Sequence, residues 1–185
     1  MRHEHIQRFI KLVAVALMVA VDAYAQQQGK TESRRIVVSL TDRKLVLMEG
    51  QRALKTYDVA VGKAATPSPE GKFTVATQVA NPTYYGFGQM VAPGPNNPVG
   101  TRWIGLSAKG YGIHGTNAPK SIGRAASHGC IRMRNKDVEE LFTLVTIGAP
   151  VELHAAPLAQ VVPQPAVVAV SAEIKTIPVK VLAGI

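Results

Sequence analysis

Between Ile36 and His154 the apolar residues come in short runs, each stopped by glycine, proline or a charged turn. Runs of that length, rich in β-branched residues and punctuated in this way, indicate a mainly β domain. Ile36-Val37-Val38-Ser39-Leu40 and Lys44-Leu45-Val46-Leu47-Met48 are joined by Thr41-Asp42-Arg43 and closed by Glu49-Gly50, which predicts a hairpin. Thr56 to Val61, stopped at Gly62, and Lys72 to Thr77 read as further strands, as do the shorter runs Trp103 to Leu106 and Tyr111 to His114.

One segment has a different period. Asn135 is placed to cap a helix through Val145, with Asp137, Glu139 and Glu140 early, where the helix dipole favours acids. Val138, Leu141, Phe142 and Val145 then share one face, which reads as core packing. Gly148-Ala149-Pro150 ends the helical run, and Val151 to His154 reads as a closing strand.

Two loops are rich in proline. The first is Thr66-Pro67-Ser68-Pro69-Glu70-Gly71; the second runs from Asn81-Pro82 through Pro93-Gly94-Pro95-Asn96-Asn97-Pro98-Val99-Gly100. The second contains Tyr84, Tyr85, Phe87 and Met90, side chains of little use in a solvated loop unless they cover something, so a lid is expected there.

The ends differ from this domain. Arg2, Arg8 and Lys11 precede ten apolar residues, Leu12 to Val21, and then Ala23-Tyr24-Ala25, the layout of a secretory signal peptide cleaved after Ala25. Ten apolar residues fall short of the ~20 that a spanning helix needs, so no stable membrane span is expected after cleavage. Residues 26–34 read as a flexible leader, 35–154 as one compact domain and 155–185 as a tail rich in Pro, Ala and Val. Val167 to Val170 and Ile177 to Val181 could alternatively form late strands or partner-binding segments. Export places the protein in the periplasm or cell envelope. Its formal charge of +9, or +8 without residues 1–25, then favours cell-wall polymer, anionic lipid or acidic polysaccharide over nucleic acid.

An exported chain normally pairs its cysteines, and this one has a single cysteine, Cys130. It lies in Ser127-His128-Gly129-Cys130-Ile131-Arg132, with His114 upstream in Gly112-Ile113-His114-Gly115-Thr116-Asn117. Were 127–132 an extended strand, His128, Cys130 and Arg132 would share a face. A nucleophilic cysteine acts as thiolate, and an imidazolium or aimed N–H groups lower its pKa. A thiol with two histidines at hand fits the nucleophile and base of covalent acyl transfer. His114, His128 and Cys130 are also chemically acceptable zinc ligands, but no second Cys or His pair completes a four-ligand set, and neither metal nor cofactor is expected. His128 is read either as a structural histidine bonded to backbone or as a proton-transfer group.

These residues resemble the signature of the L,D-transpeptidase catalytic domain (YkuD-like), a histidine followed some way on by Ser/Thr-His-Gly-Cys. Val61-Gly62, the two proline-rich loops and Trp103-Ile104-Gly105-Leu106 are similar to that family's other blocks, in order, over residues 35 to 154. The resemblance implies a mainly β catalytic fold, a mixed β-sandwich or sheet with one short helix after the cysteine. It also implies a peptidoglycan cross-linking enzyme that attacks the third residue of a stem tetrapeptide, expels D-alanine and passes the acyl group to an amine. Cys130 would be the nucleophile and His114 the acid/base, with the Gly115 carbonyl orienting its ring and N–H groups around Gly129 and Cys130 stabilising the oxyanion. Ser127, Tyr111, Trp103 and Arg132 are candidates for substrate binding.

Many members of the family carry asparagine where this chain has Arg132, although a similar subset has arginine. Arg132 is read as holding a substrate carboxylate or as pairing with an acid such as Glu70. The expected partners are stem peptides, a lipoprotein lysine as a further acceptor, and carbapenem-type inhibitors. A hydrolase using the same thiol and a non-catalytic wall-binding module are the alternatives.

Overall fold

The computed structural model describes residues 33–162. The expected signal peptide, residues 26–32 of the leader and residues 163–185 of the tail, with both late apolar segments, lie outside the described residues.

Eight strands form one mixed sheet, in the order β11 (Ile131–Arg132), β9 (Gly112–His114), β8 (Arg102–Leu106), β5 (Gly71–Ala80), β12 (Pro150–His154), β1 (Arg34–Ser39), β2 (Lys44–Glu49), β3 (Arg52–Asp58). The expected hairpin lies toward one edge of it: β1 and β2 pair antiparallel, with Ile36 opposite Leu47 and Val38 opposite Leu45. Alternation puts Ile36, Val38, Leu45 and Leu47 on one face and Val37, Val46 and Met48 on the other. All seven are buried, because each face is covered.

The inner face meets α1 (Asn135–Leu144) through Val138, Leu141 and Val145, as the helical spacing predicted. The outer face is covered by α2 (Leu158–Val161), whose Leu158 and Val161 pack with Val162 on Val37, Val46 and Met48. Residues 158–162, expected to belong to the extension, are thus docked. Ser39 Oγ donates to the Ala156 carbonyl at 2.8 Å and helps hold the approach.

β3 (Arg52–Asp58) begins earlier than its apolar pattern suggested. Only Tyr57 in it is buried, which suits the sheet's outermost strand, where pairing with β2 rather than burial stabilises the chain. From there Val59 and Ala60 lead into β4 (Val61–Gly62). Ala60 exchanges both backbone hydrogen bonds with Arg132, each at 2.8 Å. Arg132 belongs to β11 (Ile131–Arg132), at the opposite edge of the sheet. The sheet therefore curls until chain leaving one edge meets the other, and that junction is where the chemistry-bearing residues lie.

At the centre of the sheet β5 and β12 join the β1–β2 hairpin to β8 and β9. The long proline-rich loop holds a small hairpin of its own, β6 (Tyr84–Gly86) and β7 (Gln89–Val91). Its stem is tied by Asn97, which is fully buried. The Asn97 amide donates to the carbonyls of Pro82, Val91 and Ala92, and its oxygen accepts from the Val99 N–H. No helix among the described residues is long and apolar enough to cross a membrane.

Candidate active site

The segment expected to run extended from 127 to 132 is broken. β10 (Ala125–Ser127) pairs in parallel with β4, the chain turns, and β11 pairs in parallel with β9. Gly129 makes the turn at φ +111°, a conformation that disfavours a side chain, and a Cβ there would lie 2.7 Å from the Tyr111 ring. Ser127 closes the turn. Its hydroxyl donates to the Cys130 carbonyl at 2.6 Å and accepts from the Gly129 N–H at 3.1 Å.

These bonds correct two expectations. Ser127 is 1% exposed and its hydroxyl is spent inside the turn, so it shapes the cleft and does not bind substrate through that group. The Gly129 N–H, expected to face an oxyanion, is engaged by the same hydroxyl. The Tyr111 ring, half-buried, packs against Gly129 and the core.

His114 is brought to the same place by register. β11 lies beside β9 with Arg132 opposite His114 and Ile131 opposite Ile113, so Cys130 enters next to the strand that ends in the histidine. The Met133 N–H donates to the His114 carbonyl at 2.8 Å and extends the pairing. The imidazole is buried, and Nδ1 lies 2.6 Å from the Gly115 carbonyl. A carbonyl only accepts, so Nδ1 carries the proton and Nε2 presents a lone pair. Trp103 stacks on the ring at a centroid distance of 5.6 Å and 20° between planes.

Cys130, His114, His128, Arg132 and Trp103 line one cleft of about 940 Å³. Across it stand Tyr84, Tyr85 and Phe87 of the β6–β7 hairpin, so the proline-rich loop does form one wall. Tyr85 and Phe87 remain 74% and 77% exposed, and Met90, 71% exposed, is not part of the wall. Phe87 takes a left-handed backbone at φ 51°, and its ring reaches the His128 ring at 4.9 Å. His128 is exposed at the cleft mouth, where Nε2 meets Lys63 Nζ at 3.4 Å. The ring bonds to a side chain and not to backbone, unlike the structural role expected of it, and helps form the rim of the cleft.

Electrostatics alter the expected thiolate–imidazolium pair. Burial pushes the Cys130 thiol up, with the Gly112 N–H and the Arg132 charge opposing the shift. Burial drives His114 down to about 4, against the Gly115 bond and with some help from Arg132. Both groups are therefore neutral near pH 7 in the unliganded protein. The sulfur rests 3.7 Å from the Gly110 carbonyl. Among the described residues no three His, Cys, Asp or Glu side chains converge as a metal-binding group.

One residue central to this geometry was read differently from sequence. Asn135 is the first residue of α1, with Arg134 at the cap position, and no side-chain bond caps the helix. The Asn135 Oδ1 instead accepts the Thr116 N–H at 2.9 Å. A Cβ at Gly100 or Gly115 would lie 2.1 or 2.2 Å from that oxygen, so both glycines make room for it. Asn135→Ala leaves the buried Thr116 amide unpaired, which costs about 1–3 kcal/mol. The expected melting temperature is lower by roughly 4–12 °C. Calorimetry on the two proteins checks this; an unchanged melting temperature would remove Asn135 from its bracing role.

The model of the L,D-transpeptidase catalytic domain matches residues 33–153. The L,D-transpeptidase-family protein YkuD of Bacillus licheniformis is 45% identical over 119 residues, which cover 64% of this chain and 64% of that protein. The chain thus spans just under two thirds of that relative. The solved catalytic domain of the Enterococcus faecium L,D-transpeptidase shares 27% identity at a TM-score of 0.55, covering 68% of this chain and 100% of that one. The L,D-transpeptidase LdtMt1 in complex with imipenem, at 19% identity and a TM-score of 0.56, covers 66% of this chain and 59% of that one and shares the fold.

Proposed function

The chain belongs to the L,D-transpeptidase catalytic-domain family, and from that membership and the cleft geometry we propose that it is a peptidoglycan L,D-transpeptidase. The observation that carries the reading is the pairing of β11 with β9, which sets the one thiol and an oriented, buried imidazole in the same cleft.

The proposed reaction starts from the neutral pair. As the sulfur attacks the carbonyl of the third stem residue, His114 Nε2 takes the thiol proton and the S–C bond forms. The Cys130 N–H faces the developing oxyanion, a class of interaction worth ~3 kcal/mol per donor. Collapse breaks the C–N bond, and His114 returns the same proton to the nitrogen of the departing D-alanine. An acceptor amine then attacks the thioester and passes a proton to His114; the new C–N bond forms, the S–C bond breaks, and His114 returns that proton to the Cys130 sulfur. A buried base with a depressed pKa is free to accept at neutral pH, which favours this order of events.

The wall of exposed aromatic side chains on β6–β7 suits an extended peptide laid across the cleft. A stem amine, a lipoprotein lysine or water could each open the thioester, and the open cleft admits all three. Carbapenems belong with this reading as acylating agents. We place the enzyme in the cell envelope on the strength of residues 1–25, with the exported form beginning at Gln26.

The test is expression of the full chain in an exporting host and incubation of the protein recovered from its envelope with a defined disaccharide tetrapeptide, followed by mass analysis of protein and products. Expected are an N-terminus at Gln26, an acyl-enzyme lighter than the sum of its reactants by one alanine, and a cross-linked product once an amine acceptor is added. Absence of any acyl-enzyme would overturn the proposal. Release of a free tripeptide whatever acceptor is supplied would turn it into a hydrolase.

A further inference from the structure

Among the described residues Arg132 is a cation without a counter-ion. Its backbone is clamped between Ala60 and β9, and its side chain lines the cleft with Nη1 donating to Ser121 Oγ at 3.0 Å. The buried Nε has no hydrogen-bond partner. Among the described residues no carboxylate lies within ion-pair distance of the guanidinium; the ion pairs found there use Glu49, Asp58, Asp137, Glu140 and Glu152. Glu70, the acid expected to pair with it, is exposed and makes no such contact. The cleft lining contains no acid at all.

A half-buried guanidinium with open donors is costly until an anion occupies it, and its planar fork matches a carboxylate. We propose that Arg132 binds the free α-carboxylate of the residue that leaves the donor peptide, and so makes the enzyme select donors with one residue after the scissile bond. This rests on the transpeptidase reading above and adds to it the group that measures the donor's end.

The register says which carboxylate is meant. Arg132 stands opposite His114, the group that hands a proton to the leaving nitrogen. In the leaving residue that nitrogen is separated from its own carboxylate by a single carbon. A carboxylate on the side chain of the third residue lies on the other side of the reacting carbonyl, several bonds away. An imidazole at the nitrogen and a guanidinium beside it on the neighbouring strand therefore fit the terminal carboxylate. A longer donor would place a neutral peptide group where the charge belongs.

Three tetrapeptide donors separate the possibilities by initial acylation rate, read as intact mass. One ends in the free acid, one ends in the carboxamide, and one ends in the free acid with lysine at the third position, so that it has no carboxylate there. The wild type is expected to acylate about 10- to 100-fold more slowly with the carboxamide, the range of a charge-assisted hydrogen-bonded pair, and comparably with both acids. Arg132→Gln and Arg132→Lys should shrink the acid-to-amide ratio toward one, whatever they do to the overall rate.

Equal wild-type rates for acid and carboxamide would overturn the assignment while leaving the transpeptidase reading intact. So would slowing confined to the lysine donor, which would point to the third residue's carboxylate. An acid-to-amide ratio that survives in both variants would also overturn it. Failure of every donor to acylate the wild type would overturn the transpeptidase reading, and this inference with it.

Discussion

Cys130→Ser is expected to lose covalent capture of imipenem and of a stem tetrapeptide by roughly 10³-fold or more, with little change in melting temperature. The substitution exchanges one atom on a half-buried side chain whose sulfur meets the Gly110 carbonyl at 3.7 Å and the Gly112 N–H. Everything that shapes the turn remains: the Ser127 hydroxyl bonds, Gly129 and the Tyr111 ring. What changes is the proton that His114 must remove, because a hydroxyl is far less acidic than a thiol. Cys130→Ala, which removes the nucleophile outright, should show no adduct. Intact mass after mixing with imipenem gives the result in one measurement. A Cys130→Ala protein that still gains the mass of the inhibitor at a wild-type rate would end the covalent reading. A non-catalytic wall binder predicts the same empty spectrum for the wild type, so the wild-type adduct decides between enzyme and adhesion module.

Where local pattern and tertiary packing agree, the structure was legible in advance. The β1–β2 hairpin followed from alternating apolar residues around a short polar turn, and α1 followed from Val138, Leu141 and Val145 recurring on one face. Cys130 and His114 stood out because a lone thiol beside imidazoles has few structural uses. The parts that were missed depend on contacts between distant segments. The turn at Gly129 packs against the Tyr111 ring, and nothing in Ser-His-Gly-Cys announces that ring. β3 is a strand because β2 pairs with it, so its polar residues carry no apolar period to read.

Asn97 and Asn135 look like ordinary loop and cap residues in sequence. Their amide groups matter because the fold brings unpaired backbone from other segments to them. The protonation state belongs to this group as well. Two imidazoles near a thiol suggested an ion pair, whereas burial of His114 beneath Trp103 and beside Arg132 favours the uncharged forms. Desolvation is a property of the assembled cleft and has no signature in residue order.

That burial gives the second large effect, a pH dependence that links activity and stability. His114 is 5% exposed and its pKa is driven down to about 4, chiefly by burial, with the Arg132 charge acting in the same direction and the Gly115 carbonyl opposing. In the unfolded chain the same group titrates near 6.5. Between these values the unfolded state binds a proton that the folded state refuses, so stability falls as pH falls. The contribution is fully present above 6.5, is lost progressively toward 4, and amounts to roughly 3 kcal/mol in total. His114→Gln removes this term and keeps a neutral polar side chain at the site. Its stability relative to wild type should therefore improve by about 2 kcal/mol between pH 7 and pH 5, measured by urea unfolding at each pH. Carboxylates such as Asp58 and Glu140 titrate alike in both proteins and cancel in the difference.

The same shift predicts that wild-type imipenem acylation stays level from pH 7 down to about 5 and falls only as His114 protonates near 4, while His114→Gln is nearly inactive throughout. An acylation limb near 6.5, together with no relative gain for His114→Gln at low pH, would mean that the imidazole is solvated and that the neutral-pair mechanism is wrong. A limb near 4 with the predicted gain in stability would tie the base's readiness to accept a proton to the burial that costs the fold its acid tolerance.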